Sequence, residues 1–199
     1  LRHVAELYPY PNRLRVVRAT GAQLHAWLAW SARAFARVAP GTRDAPLLSP
    51  DFPCHNFDSI AGVSYRIDLA APPGTPERIR DLRRAGRPLP ADAELAVVAN
   101  SYRVAGGGGF PGAGETLLAT EETGPEIVER HLAGLLGLVP DTAPIWRFAP
   151  MPGTSVLLPT GPGAAAHAAG LPGLEGPLGT DPAGFHLYRL HLRADAACA

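Results

Sequence analysis

Asn100, Ser101, Tyr102 and Arg103 put an amide, a hydroxyl, a flat ring and a cation on four consecutive residues, with Gly106 to Gly109 close behind. These residue types suit a planar, polar molecule. A ring stacks on it, polar groups reach its edge, and glycines let the backbone approach without a Cβ in the way. A plainer reading of the same residues stays open, in which the glycines are a flexible turn and Tyr102 is a core ring. A Walker-type phosphate loop is excluded, because no Gly-Lys-Ser/Thr follows the glycines.

The elements around this stretch would have to position it. Leu95 to Ala99 is a continuous apolar run that reads as a strand buried on both faces and ending at Asn100. Upstream, Tyr8-Pro-Tyr10-Pro-Asn12 is held extended by its prolines, and alternation puts the rings of Tyr8 and Tyr10 on one side. Arg13 to Ala19 reads as a strand. Thr20 and Gln23 form a capping box for a helix over about 21–38, with Leu24, Trp27, Leu28, Ser31 and Phe35 on its core face. His25 and Trp30 fall off that stripe and read as surface. A short helix is expected over Arg2 to Leu7.

Residues 39–61 form a long connection carrying Asp51-Phe-Pro-Cys-His-Asn-Phe-Asp58, and its length and content point to function rather than disorder. Val63, Tyr65, Ile67 and Leu69 alternate inward along a half-buried strand, and Arg78 to Arg84 reads as a strand ending at Gly86. Thr123 and Glu126 cap a second helix running to about Gly137, with Ile127, Val128, His131, Leu132 and Leu135 inward. Short strands follow at 145–148, 155–158 and 185–192, separated by a Gly, Pro and Ala tract over 159–184. The elements add up to one α+β domain of mixed sheets packed with two main helices.

Composition sets the bounds. The 199 residues suffice to bury about 70% of the unfolded surface. Eighteen basic and eighteen acidic residues cancel, which removes the electrostatic case for a nucleic-acid duplex or an anionic membrane. No apolar run reaches the roughly 18 residues needed to cross a bilayer. The abundance of Ala and Arg without any Lys is a compositional bias. Cys54 and Cys198 make no disulfide framework or zinc spacing, and whether they pair is open. Of the seven histidines none lies in a metal-binding pattern, and His186 and His191 face opposite sides of one strand. His55 with Asp58 could be a base and its orienter, but no nucleophile stands beside them. No catalytic residue and no metal ligand is therefore assigned.

Several blocks in one order carry a more specific signal: Leu7-Tyr-Pro-Tyr-Pro-Asn12, Val16 to Gly21, Phe52-Pro-x-x-Asn-Phe-Asp-x-Ile-x-Gly-Val-x-Tyr-x-Ile-Asp68, and Ala99-Asn-x-Tyr-Arg-x-x-Gly-Gly-Gly-x-Phe-Pro-Gly. Together they closely resemble the C-terminal domain of the 5′-nucleotidase family, nearest its bifunctional 2′,3′-cyclic-nucleotide 2′-phosphodiesterase/3′-nucleotidase branch. The resemblance is close from Leu1 to about Glu115 and looser to Leu192. A glycine at 108, where the 5′-nucleotidase branch carries Asp, fits the cyclic phosphodiesterase branch. His55, where relatives commonly have Tyr, departs from the pattern.

The resemblance implies that residues 1–199 are a nucleotide-binding C-terminal domain. Its partner would be an N-terminal metallophosphoesterase domain with two divalent metal ions, lying upstream of residue 1. In such a protein two rings sandwich the base, matching Tyr10 and Tyr102 here, and Asn12 contacts the base edge. Asn56, Phe57, Asp58, Asn100, Arg103, Gly106 and Gly107 complete the implied substrate-binding set. The implied ligand is a nucleoside or nucleotide and the implied location periplasmic, cell-wall or secreted, with no cofactor held by this chain and no hydrolysis by it alone. A 5′-nucleotidase or sugar-nucleotide hydrolase domain, and a non-catalytic binding module, are the alternative readings.

Overall fold

The computed structural model describes residues 6, 8–112, 114–134 and 144–193. Expectations for the helix over Arg2 to Leu7 (Glu6 apart), for Leu135, for the helix end at Gly137 and for Cys198 lie outside these residues. Cys54 is an exposed thiol. The strands in chain order are β1 (Arg13–Thr20), β2 (Ala45–Pro46), β3 (Ser64–Ile67), β4 (Ile79–Arg84), β5 (Arg87–Pro88) and β6 (Glu94–Asn100). They continue as β7 (Thr116–Thr123), β8 (Trp146–Phe148), β9 (Ser155–Thr160), β10 (Leu174–Thr180) and β11 (His186–His191). The helices are α1 (Gly21–Ser31), α2 (Ser101–Val104), α3 (Gly124–Ala133) and α4 (Ala165–Ala168). The fold is α+β, with several sheets and few helices, as expected.

The chain forms two compact units, Leu1–Trp27 with Pro90–Thr142, and Leu28–Leu89 with Ala143–Ala199. The first unit holds a three-stranded antiparallel sheet, β6-β1-β7, with β1 in the centre. Along β6 burial alternates: Leu95 and Val97 are covered, while Ala96 is exposed and Val98 is 62% exposed. The expectation of a strand buried on both faces is therefore corrected. A small antiparallel sheet needs cover on one face only, and that is the arrangement here. The edge strand β7 was not expected at all, because residues 116–123 are almost wholly exposed and carry no alternation to read.

Both capping boxes form. Thr20 N–H donates to Gln23 Oε1 at 2.8 Å and Gln23 N–H to Thr20 Oγ at 3.1 Å. Thr123 and Glu126 repeat the exchange at the start of α3. The helix from Gly21 ends at Ser31 and a single tight turn follows, rather than running to 38. The backbone of 35–38 is drawn off elsewhere: Ala36 N–H donates to Leu47 O and Val38 N–H to Leu69 O. Trp30, read as surface, is 7% exposed and meets Phe52 edge-on at 5.4 Å. The stripe misled because Trp27 to Ala32 are all buried, so the end of this helix has no solvent face. On α3, Ile127 and Val128 are half-buried but His131 and Leu132 are exposed, so its inward face is narrower than expected.

The second unit contains two four-stranded sheets, β10-β11-β9-β2 and β5-β4-β3-β8. Val63, Tyr65, Ile67 and Leu69 are buried, as their alternation requires. The tract over 159–184 is not all irregular: it contains β10, whose three glycine and proline positions hide a strand from propensity. The unit closes on Arg78, which is fully buried. Its Nη1 donates to Leu69 O at 3.1 Å and Ala71 O at 2.7 Å, and its Nη2 to Phe35 O at 2.7 Å and Ala36 O at 2.9 Å. Burial pulls this guanidinium down to about 10, which leaves it charged at neutral pH.

Arg78→Met should lower the unfolding free energy by about 3 kcal/mol or more, since several buried carbonyls lose their donors together. Arg78→Lys should recover only part, because an ammonium lacks the planar fork; urea denaturation reads both. A second prediction concerns acid. Hydrogen bonding to Arg189 first, then Ser155, holds the Asp44 carboxyl at about 2 against the usual 3.8. Its stabilisation is complete above pH 3.8 and is lost as pH falls through about 2. Asp44→Asn should flatten that acid limb in a series of pH-stepped denaturation curves.

Candidate functional site

The site builds from the end of the β1–β6 ladder. Leu14 pairs with Asn100, the last residue of β6, and Arg13 N–H donates to Ser101 Oγ at 3.1 Å. The Tyr8–Asn12 segment and the α2 turn thus start from the same end of the sheet, although some ninety residues of chain separate them. Tyr10 lies three residues before Arg13 and Tyr102 one residue after Ser101. Tyr10 is 65% exposed and Tyr102 52%, two of the larger rings that this chain leaves uncovered.

Each ring has a different support. Asn12 Nδ2 donates to the Tyr8 hydroxyl at 3.1 Å, and Asn12 O accepts from Gly124 N–H at 2.7 Å. A Cβ on Gly124 would stand 3.0 Å from the Tyr8 ring, so this glycine opens the seat that the half-buried Tyr8 occupies. Tyr10 then meets Tyr8 edge-on, centroids 6.4 Å apart and planes at 83°. Tyr8 is the anchored ring and Tyr10 the free one.

Asn100 caps α2: its side chain accepts from Arg103 N–H at 2.7 Å. Gly106 turns the chain with φ +88°, which favours glycine. Arg103, 6% exposed, donates from Nη1 to Gly107 O at 2.6 Å, and its Cζ lies 5.9 Å from the Tyr102 ring centroid. A Cβ on Gly107 would fall 2.4 Å from the Tyr102 ring, so the ring rests directly against bare backbone. Beyond the glycines Phe110 is buried against Trp27 at 4.2 Å, pinning the far end of the loop. Of the expected residues, Tyr10, Asn12, Asn100, Tyr102, Arg103, Gly106 and Gly107 therefore fall in one unit, tied by the same ladder end.

Asn56, Phe57 and Asp58 belong to the other unit. Asn56 is buried in a tight turn, and Phe57 packs on Phe35 at 5.0 Å and Trp146 at 5.3 Å. The Asp58 backbone exchanges hydrogen bonds with Ser31 Oγ, donating at 2.6 Å and accepting at 2.8 Å. These contacts give the 54–58 turn a packing role. Among the described residues no group of three or more His, Cys, Asp or Glu side chains could hold a metal ion.

Sequence reasoning overlooked a charged cluster in the second unit. Arg189 grips Asp44 through Nε and Nη2 at 2.6 and 2.7 Å and reaches Glu175 from Nη1 at 2.9 Å. Residues 145 apart in sequence make that contact, and nothing in an arginine-rich chain marks these arginines from the rest.

The chain has relatives among known proteins. The family model for the 5′-nucleotidase C-terminal domain matches residues 1–115. The 2′,3′-cyclic-nucleotide 2′-phosphodiesterase/3′-nucleotidase of Haemophilus influenzae is 34% identical over 216 residues, covering 96% of this chain and 33% of the relative. Its counterpart from Salmonella typhimurium is 32% identical over 217 residues, with the same shares. The chain thus spans about a third of the length of these curated relatives. A Staphylococcus aureus crystal structure assigned as a 5′-nucleotidase, in complex with alpha-ketoglutarate, shares the fold at TM-score 0.62 and 24% identity, over 74% of this chain and 29% of that one.

Gly107→Ala should push the Tyr102 ring off its seat, which changes in tyrosine near-ultraviolet dichroism would register. Gly106→Ala meets open space, and should cost only the left-handed strain of about 1–2 kcal/mol.

Proposed function

Because the chain belongs to the 5′-nucleotidase C-terminal domain family, we propose that it is the nucleotide-recognition part of a phosphoric-ester hydrolase. The kind we assign is a 2′,3′-cyclic-nucleotide 2′-phosphodiesterase/3′-nucleotidase, as its relatives of 34% and 32% identity are named. One observation carries the reading: two exposed tyrosines, Tyr10 and Tyr102, belong to segments fastened to the same end of one strand pair. A base between such rings is held by its π-faces whatever its identity, and each stacking contact is worth about 1–3 kcal/mol.

In this reading Tyr10 and Tyr102 grip the base and Asn12 contacts its edge. Asn100, Arg103, Gly106 and Gly107 shape the loop on which Tyr102 rides, and Asn56, Phe57 and Asp58, in the other unit, are left to packing. The chain's own residues bind and orient. Two divalent metal ions held by a separate N-terminal metallophosphoesterase domain would supply the hydrolytic chemistry. The setting we infer is periplasmic, cell-wall or secreted.

Calorimetry with adenosine and 3′-AMP tests the clamp. Tyr102→Ala and Tyr10→Ala should each weaken binding by roughly ten- to a hundredfold, and equal affinity in wild type and both variants would sink it. Turnover by the whole enzyme tests the branch. It should process 2′,3′-cyclic AMP and 3′-AMP well ahead of 5′-AMP, and the reverse order would move the protein to the 5′-nucleotidase reading.

A further inference from the structure

The second unit holds a cavity of about 470 Å³ that the reading above does not use. Its volume is in the range of small-molecule sites, and its lining is unusual in charge. Arg43, Arg189 and Arg193 face it against Asp44 and Glu175, three cations to two carboxylates, with His191 beside them.

The two carboxylates already have partners. Asp44 accepts from Arg189 through both oxygens, and from Ser155 Oγ at 2.9 Å. Glu175 accepts from Arg189 Nη1 and lies 3.2 Å from His191 Nε2. The walls are rigid for the same reason. Asp44 N–H donates to Ser155 Oγ at 2.9 Å, Gly41 N–H donates to the Thr154 hydroxyl at 2.8 Å, and Ser155 N–H to Thr42 O at 3.0 Å. Asp44 keeps a left-handed backbone, φ +57°, which this fastening sustains.

That leaves a surplus of one sign among the described residues. Arg43 and Arg193 line the cavity, and among the described residues neither has a hydrogen bond or ion pair to a carboxylate. Guanidinium groups around a fixed cleft present paired donors that match the oxygens of carboxylate and phosphate groups. A concave wall also concentrates their field.

We propose that this cleft is a binding site for a small oxyanion-bearing molecule, with Arg43 and Arg193 taking its charged oxygens and the Asp44–Arg189–Glu175 lattice holding the walls apart. The site is separate from the tyrosine clamp, and stands or falls independently of it. Phosphate and carboxylate share the recognising chemistry, so the experiment carries both.

The test is a heteronuclear NMR titration of the whole chain with inorganic phosphate in one arm and succinate in the other, at constant ionic strength. At least one probe should move the His191 and Ser155 signals in a saturable way, and the arm that does so names the ligand's oxyanion. The Arg43→Ala/Arg193→Ala double variant alters exposed side chains and should weaken that binding about tenfold or more. Tyr102→Ala should leave it unchanged. Saturation by neither probe, or equal binding by wild type and the double variant, would overturn the proposal.

Discussion

The antiparallel register of β1 against β6 is the constraint from which the candidate site follows. It sets Leu14 opposite Asn100 and brings Arg13 N–H to Ser101 Oγ. A shift of one residue would turn Val16 and Val98 onto the opposite face and carry the Tyr8–Asn12 segment out of step with α2. The flanking contacts reinforce this register rather than create it. Along the opposite edge, where β7 pairs, Asn12 O takes the Gly124 amide near one end and Arg18 exchanges backbone bonds with Gly114 and Glu115 near the other. The central strand is thereby held from both edges, and its amino-terminal end becomes a fixed platform.

The second unit solves a different problem with one side chain. The 35–38 and 69–71 segments leave helix and strand with carbonyls that no ladder satisfies. The fully buried Arg78 serves four carbonyls there, of which Leu69 O also takes the Val38 amide. An unpaired buried carbonyl is costly, and one planar fork can serve several at once. In the same unit Phe35 and Trp146 each meet Phe57, Phe148 and one another with ring centroids 5.0–5.8 Å apart, mostly edge to face. The 54–58 turn thus contributes packing as well as sequence identity to the family pattern.

What the sequence disclosed depended on how local the determining physics is. Capping boxes at Thr20 and Thr123 involve residues three apart and could be read directly. The alternation from Val63 to Leu69 was equally plain, since one face is buried and the other is not. Trp30 could not be read from a helical stripe, because its burial depends on Phe52 from a distant loop. The edge strand β7 carries Thr, Glu and Leu in a nearly all-exposed row, so no pattern separates it from a loop. Arg78 and Arg189 look like any other arginine in this chain. Their roles come from partners 7 to 145 residues away. The ordered family blocks singled out the tyrosines, whereas the contact of Gly107 with the Tyr102 ring, five residues away in a glycine run, carries no mark in the sequence.

That seat makes the two rings unequal. Tyr102 leans on Gly107, whose carbonyl Arg103 grips, so folding has already removed much of the ring's rotational freedom. Tyr10 meets Tyr8 edge-on and is 65% exposed, so it retains more of its own. In the proposed clamp, a base would find one wall standing still and one still swinging. Most of the ordering entropy of capture would then fall on Tyr10, and the rigid wall would act as the template against which the mobile one closes.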